Sequence, residues 1–153
     1  MGIEKDIQQP AFRNEFQKTG INLIYTANWL NEKIGHILSA EKITQQQYNI
    51  LRILRGSECP LSTLKIRERM LDKMSDTSRI VDRLIAKELV EKTACIKDKR
   101  LVDITLSKKG IQLLEKLDHF NDQIDGILKG INEKEAASLN QILDKLREAS
   151  TDK

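Results

Sequence analysis

Residues 75–110, SDTSRIVDRLIAKELVEKTACIKDKRLVDITLSKKG, are the stretch on which the fold turns. Ser75 or Asp76 can cap a helix running to about Lys87, because either side chain offers an oxygen to the free backbone N–H groups of a first turn. Ile80, Val81, Leu84 and Ile85 then form its core side, and Thr77, Ser78, Arg79, Asp82 and Arg83 its polar face. Leu89-Val90 leads into a strand through Cys95. In a second strand Val102, Ile104 and Leu106 alternate with Asp103 and Thr105, the period of two expected of a half-buried strand. Between the strands lies the tip Lys97-Asp98-Lys99-Arg100. A polar-faced helix followed at once by a ribbon with a basic tip is the outline of a winged helix-turn-helix. Its helix suits a major groove, and its ribbon tip the flanking minor groove or backbone.

Upstream, Thr44 opens a shorter helix, with Gln47 three residues on completing a capping box. Tyr48, Leu51 and Leu54 supply its buried side, and Gly56 sits where a C-terminal cap is expected. Pro60 cannot continue a helix, and Ser62 is a good N-cap for the next one, over about 63–71. Leu61, Leu64 and one of Ile66, Met70 or Leu71 should point inward.

The flanks are helical as well. Phe12, Phe16, Leu23, Ala27, Leu30, Ile34 and Ile37 make one stripe along a helix over 12–38, while Ile21, Ile24, Trp29 and Leu38 fall off it. A helix apolar on more than one side has more than one partner. After the wing, Ser107 caps a long helix with a stripe of Ile111, Leu114, Leu117, Ile124 and Ile127 or Leu128, weakening at Gly126 and Gly130. Asn132 with Glu135 caps a last helix carrying Leu139, Ile142, Leu143 and Leu146. The expected fold is mainly α with a small β-hairpin wing. Within one compact fold, residues 44–107 form the winged unit, and residues 1–43 and 108–153 contribute helices whose uncovered stripes predict a homodimer.

Net charge is +3, yet residues 62–109 hold 13 Lys or Arg against 8 Asp or Glu, so the basic excess is central. That is the distribution expected of a polyanion footprint. No stretch approaches the roughly 18 apolar residues of a membrane span. The start, MGIEKDIQQP, lacks the apolar core of a secretory signal, and Asp6 stands where a myristoylation signal needs Ser or Thr, so a cytoplasmic location and no membrane partner are expected. Two cysteines, Cys59 and Cys95, are too few for a disulfide framework, and with His36 and His119 in separate helices no metal site is expected. Neither a Gly-rich phosphate loop nor a nucleophile with a base is present, which argues against an enzyme and against a cofactor.

A DNA-binding surface must neutralise phosphates and then read base edges or shape. Ser75, Asp76, Thr77, Ser78, Arg79 and Arg83 are the candidates on the second helix, with Ser62 and Thr63 at the head of the one before it. Short hydroxyls near a helix start suit phosphates, since the backbone N–H groups there already favour anions. Arg79 is the foremost candidate for a base edge or a nearby phosphate, whereas Arg83 could equally pair with Asp82 or Asp76. In the wing, Lys97, Lys99 and Arg100 are the cations, and Asp98, repelled by DNA, is suited to holding a neighbouring basic side chain in place.

Pro60-Leu61-Ser62, Ser78-Arg79-Ile80-Val81-Asp82-Arg83-Leu84, Leu89-Val90-Glu91-Lys92, Asp98-Lys99-Arg100 and Ile104-Thr105-Leu106-Ser107-Lys108-Lys109-Gly110 together resemble the MarR family of bacterial transcriptional regulators. The detailed match spans about 44–110. The resemblance implies a homodimer with intertwined terminal helices, a recognition helix in the major groove, and Arg100 in the minor groove steadied by Asp98. It departs from the family at Glu88, where Gly is usual and which bears on the helix-to-strand turn, and at Lys92, where Arg is common.

The resemblance also implies a repressor on a pseudo-palindromic operator, released by a small phenolic or other amphipathic ligand or by thiol oxidation. A ligand pocket would lie where the terminal helices meet the winged unit, near Tyr25, Trp29, His36, Tyr48, Arg52 and His119. Peroxide sensing is disfavoured, because no cysteine lies near the start of the first helix. The alternative is a winged-helix protein-interaction module without DNA binding, which should have lost the basic side chains that helix and wing here retain.

Overall fold

A computed structural model of the protein describes residues 2–98 and 100–150. The order of elements is α1 (Ile3–Asp6), α2 (Glu15–Ser39), α3 (Gln45–Arg55), β1 (Leu61–Ser62), α4 (Thr63–Arg69), α5 (Thr77–Ala86), β2 (Val90–Ala94), β3 (Val102–Leu106), α6 (Lys108–Asp118), α7 (Asn121–Ile127) and α8 (Glu133–Glu148). They fall into two units, Met1–Phe120 and Asn121–Lys153.

Local chemistry sets most of the helix starts. The Thr44 hydroxyl accepts from Gln47 N at 3.1 Å while Gln47 Oε1 accepts from Thr44 N at 3.1 Å, closing the predicted capping box. Ser62 caps α4 through Lys65 N at 3.2 Å, and Ser107 caps α6 through Gly110 N at 3.0 Å. In the second unit Asn132 and Glu135 form the same reciprocal pair at the start of α8. These are the orphan donors of each first turn, met by the residue types best suited to them.

In the first unit, α3, α4 and α5 pack around one apolar centre closed below by the sheet and by α6. Leu38, Ile50, Leu51, Leu61, Ile66, Met70, Val81, Leu84, Ile104, Leu114 and Leu117 are all fully buried. The expected hairpin wing forms from β2 and β3, and β1 extends it to a three-stranded antiparallel sheet of order β1-β3-β2, because Leu61 pairs with Ile104 and Ser62 with Asp103. Other expectations need correcting here. Leu64 points outward, since Leu61, Ile66 and Met70 already fill the inner side of α4. Leu38, off the predicted stripe, is the buried residue of α2, and Phe12 precedes that helix. The long helix after Ser107 breaks: α6 ends at Asp118, where His119 N and Phe120 N turn back to the carbonyls of Lys116 and Leu117. Gly56 is the C-cap of α3, as expected, with ordinary right-handed angles, φ −78°.

One junction ties α5 to the wing. At the end of α5, Leu89 N reaches Leu84 O at 3.0 Å and Glu88 N reaches Ile85 O at 2.9 Å, the paired bonds of a Schellman ending. That ending places its penultimate residue in left-handed backbone, and Glu88 has φ 61°. The chain therefore keeps the turn despite lacking glycine there. The next carbonyl, of Leu89, accepts from Ser107 N at 3.1 Å, and a Cβ on Gly110 would stand 2.1 Å from the same oxygen. The Ser107 hydroxyl also donates to Glu88 O at 2.6 Å. Gly110 is thus required by close approach of two backbones.

Two opposite changes follow. Glu88→Gly should raise stability by about 0.5–1 kcal/mol, as left-handed backbone costs a non-glycine residue about 1–2 kcal/mol and the extra freedom of glycine in the unfolded chain returns part of it. Gly110→Ala should lower stability by about 1–3 kcal/mol or more, the cost of forcing atoms into a filled site. Urea denaturation of both variants checks the pair of signs.

Candidate nucleic-acid interface

The turn between α4 and α5 is held before α5 begins. Asn49 Oδ1 on α3 accepts from Leu71 N at 3.0 Å, and Asp72 Oδ1 accepts from Met74 N at 3.0 Å. Gln46 Nε2 donates to the other oxygen of Asp72 at 3.2 Å. Asp76 is the N-cap of α5, accepting from Arg79 N at 3.2 Å, while the Ser75 hydroxyl donates to Asp72 O at 2.7 Å. Of the two cap candidates, Asp76 is the one used.

With Ile80, Val81 and Leu84 buried, Ser78, Arg79, Asp82 and Arg83 share the outer face of α5. Among the described residues no ion pair or side-chain hydrogen bond occupies the guanidinium of Arg79 or of Arg83. Arg83 therefore does not pair with Asp82 or Asp76. Thr77 departs from expectation. It is only 3% exposed, and its hydroxyl has no hydrogen-bond partner among the described residues. The first turn of α5 tucks this side chain inward. Ser62 and Thr63 are half-buried, and the Ser62 hydroxyl is already engaged as a cap.

In the wing, β2 and β3 pair from Val90↔Leu106 to Ala94↔Val102, and Cys95 N bonds Leu101 O at 3.0 Å to close the tip. Asp98 holds Arg100 three times over. Its Oδ1 accepts from Arg100 N at 3.0 Å and Nε at 3.1 Å, and its Oδ2 accepts from an Nη at 3.2 Å. The Arg100 side chain, followed by its backbone N–H, holds the Asp98 carboxyl below the ordinary aspartate value. The guanidinium is fixed at its Nε edge yet the side chain stays 89% exposed. Lys97 is exposed, and Lys99 lies outside the described residues. Ile96 and Leu101, both exposed at the tip, escaped sequence reasoning, which looked there for cations.

Of the six pocket candidates, Tyr48 and Arg52 meet, the guanidinium carbon lying 5.5 Å from the ring centroid. Tyr25, Trp29, His36 and His119 are exposed, and no described contact joins them to that pair. Cys59 and Cys95 are both free thiols. Among the described residues no cluster of His, Cys, Asp or Glu has the makings of a metal site, and no helix is long and apolar enough to cross a membrane.

A helix–turn–helix of α4 and α5, a sheet with a projecting basic tip and an open cationic helix face define a winged helix-turn-helix protein. The sequence profile of the MarR family matches residues 43–102, the stretch that holds the winged-helix unit of this chain. Solved structures agree in fold. A MarR mutant from E. coli, in complex with operator DNA, superposes with a TM-score of 0.80 at 23% identity, covering 89% of this chain and 98% of that one. The MepR–DNA complex of S. aureus gives 0.75 at 19%, covering 91% and 99%. BpsR of Bordetella bronchiseptica, whose DNA binding is regulated by 6-hydroxynicotinic acid, gives 0.75 at 22%, covering 84% and 98%. No curated protein matches the sequence.

Two measurements test the site's chemistry. The Asp98 carboxyl should titrate below 3.8, and return towards that value in Arg100→Gln, by side-chain carbon NMR. Because the folded value is depressed, the brace is present at neutral pH and is lost only as pH falls through that lowered value. Thr77→Val, which keeps shape but removes the hydroxyl, should raise the thermal midpoint, since an unpaired buried hydroxyl costs about 1–3 kcal/mol.

Proposed function

We propose that this protein is a DNA-binding transcriptional regulator that reads a pseudo-palindromic operator as a homodimer. The observation that carries the reading is the Arg100 guanidinium, braced by Asp98 and still 89% exposed, at the tip of a wing that follows α5, whose Arg79 and Arg83 carry no partner among the described residues. Bracing removes part of the entropy cost of ordering a long side chain on binding, and a narrow minor groove concentrates the negative potential that attracts it. Arg79, near the start of α5, is suited to a guanine edge or to a phosphate beside it.

The homodimer reading rests on apolar side chains left in water. On α2 these are Phe16, Leu23, Ile24 and Trp29, and on α8 Leu139, Ile142 and Leu146. A second copy would cover them, giving an intertwined pair of terminal helices, and two recognition helices would then address half-sites about one helical turn apart. The operator-bound MarR mutant and the DNA-bound MepR support DNA binding, from which we take repression as the mode of action, and the regulation of BpsR's DNA binding by 6-hydroxynicotinic acid supports control by a small aromatic acid. A cytoplasmic location fits this role, and the reading needs neither an enzyme activity nor a cofactor.

A protein-interaction module without DNA binding has one observation in its favour, the exposure of Leu64, Leu71 and Met74 around the α4–α5 turn. Selection of bound fragments from genomic DNA separates the two readings. Binding should weaken steeply with salt, and Arg100→Ala should cost about tenfold across sequences, within the roughly 1–3 kcal/mol of such contacts. No enrichment of DNA would favour the module. Sedimentation should give a dimer at micromolar concentration, and a monomer there would contradict the homodimer.

A further inference from the structure

Leu64 and Met74 are 64% and 93% exposed, and both line one open cleft of about 470 Å³ between α4 and the start of α5. The cleft is otherwise polar, lined by Thr63, Arg67, Ser75, Asp76, Thr77 and Ser78, with the Asp76 carboxylate already engaged as the cap of α5. Nothing in the fold requires apolar side chains there. The inner side of α4 is filled by Ile66 and Met70, and Met74 sits in a turn that Asp72 holds through backbone bonds. Leu71, 81% exposed, lines a different cleft with Asn31 and Gln46. Two large apolar groups therefore flank the first turn of the helix whose outer face carries Ser78 and Arg79.

The occupant of such a surface must combine negative charge, for Arg67 in the cleft and Arg79 on the adjoining turn of α5, with a small apolar group for Leu64 and Met74. A DNA major groove offers one apolar group on its base edges, the C5-methyl of thymine. We infer that Leu64 and Met74 read thymine methyl groups, so that this protein's operator requires thymine at fixed positions beside the bases facing Ser78 and Arg79. The inference rests on the DNA-binding reading and adds the base it selects. Burying one methyl against either side chain is a direct apolar contact, needing no hydrogen bond and tolerating neither cytosine nor uracil equally well.

The test uses the full-length protein and duplexes selected by it from a random pool. Each thymine in the selected site is replaced in turn by deoxyuridine, which removes only the methyl group. At the thymines read, affinity should fall about fourfold, the transfer value of one buried methyl group. That penalty should vanish in Leu64→Ala or in Met74→Ala, each at its own position, and persist in Leu71→Ala. Both residues are exposed, so thermal midpoints near that of the wild type will show that the variants fold. Selected DNA with no uracil penalty, or with a penalty unchanged in both variants, overturns the inference and leaves DNA binding standing. Failure to select any DNA overturns the DNA-binding reading and this inference with it.

Discussion

The carbonyl of Leu89 lies where a side chain of Gly110 would be, and the geometry of the winged unit depends on that contact. Leu89 follows the end of α5, precedes the first strand of the wing, and bonds through its oxygen to Ser107, the cap of α6. Three elements are thereby fixed at one point. If the two backbones moved apart, the strand after α5 would leave its register with β3, and the wing tip would lose its fixed direction relative to α5. Glu88, in left-handed backbone beside this contact, shows how strongly the surroundings determine the turn. The cost of that conformation is met by the Schellman bonds and by the Ser107 hydroxyl on Glu88 O.

Charge is deployed in two different ways on this scaffold. On α5 the arginines have no partner among the described residues, so their charge is not neutralised within the fold. At the wing tip the opposite choice is made: Asp98 sacrifices part of the positive charge to hold Arg100 in one orientation. A narrow groove admits few orientations of a guanidinium, so pre-ordering is worth more there than an additional unit of charge. The exposed apolar residues at the α4–α5 cleft offer a third kind of surface, one without charge.

Much of this was legible in the chain. The caps at Thr44, Ser62, Ser107 and Asn132 are local chemistry, settled by residues three positions apart, and the alternation in β3 is a local pattern. Glu88 stood out as a residue where glycine was expected, and its left-handed φ is the physical content of that departure. What the chain did not disclose depends on tertiary packing. A two-residue β1 has no period to detect, and it exists only because β3 passes alongside. The inward turn of Thr77 and the outward turn of Leu64 follow from how α4 meets α5, and in a helix of seven residues the apolar pattern is too short to decide between faces. The break after Asp118 carries no Pro or Gly to announce it. The juxtaposition of Leu64 with Met74 is likewise invisible in sequence, since a turn brings them to one cleft.

The central claim is that α5 and the wing act on the same DNA molecule, α5 in the major groove and Arg100 in the minor. Methylation protection tests it directly, because dimethyl sulfate reports guanine N7 in the major groove and adenine N3 in the minor. Wild-type protein bound to its selected operator should protect both kinds of site. Arg100→Ala, at a concentration restoring full occupancy, should retain guanine protection and lose adenine protection at the flanks. Unchanged adenine protection in that variant, or loss of both together, would contradict the account.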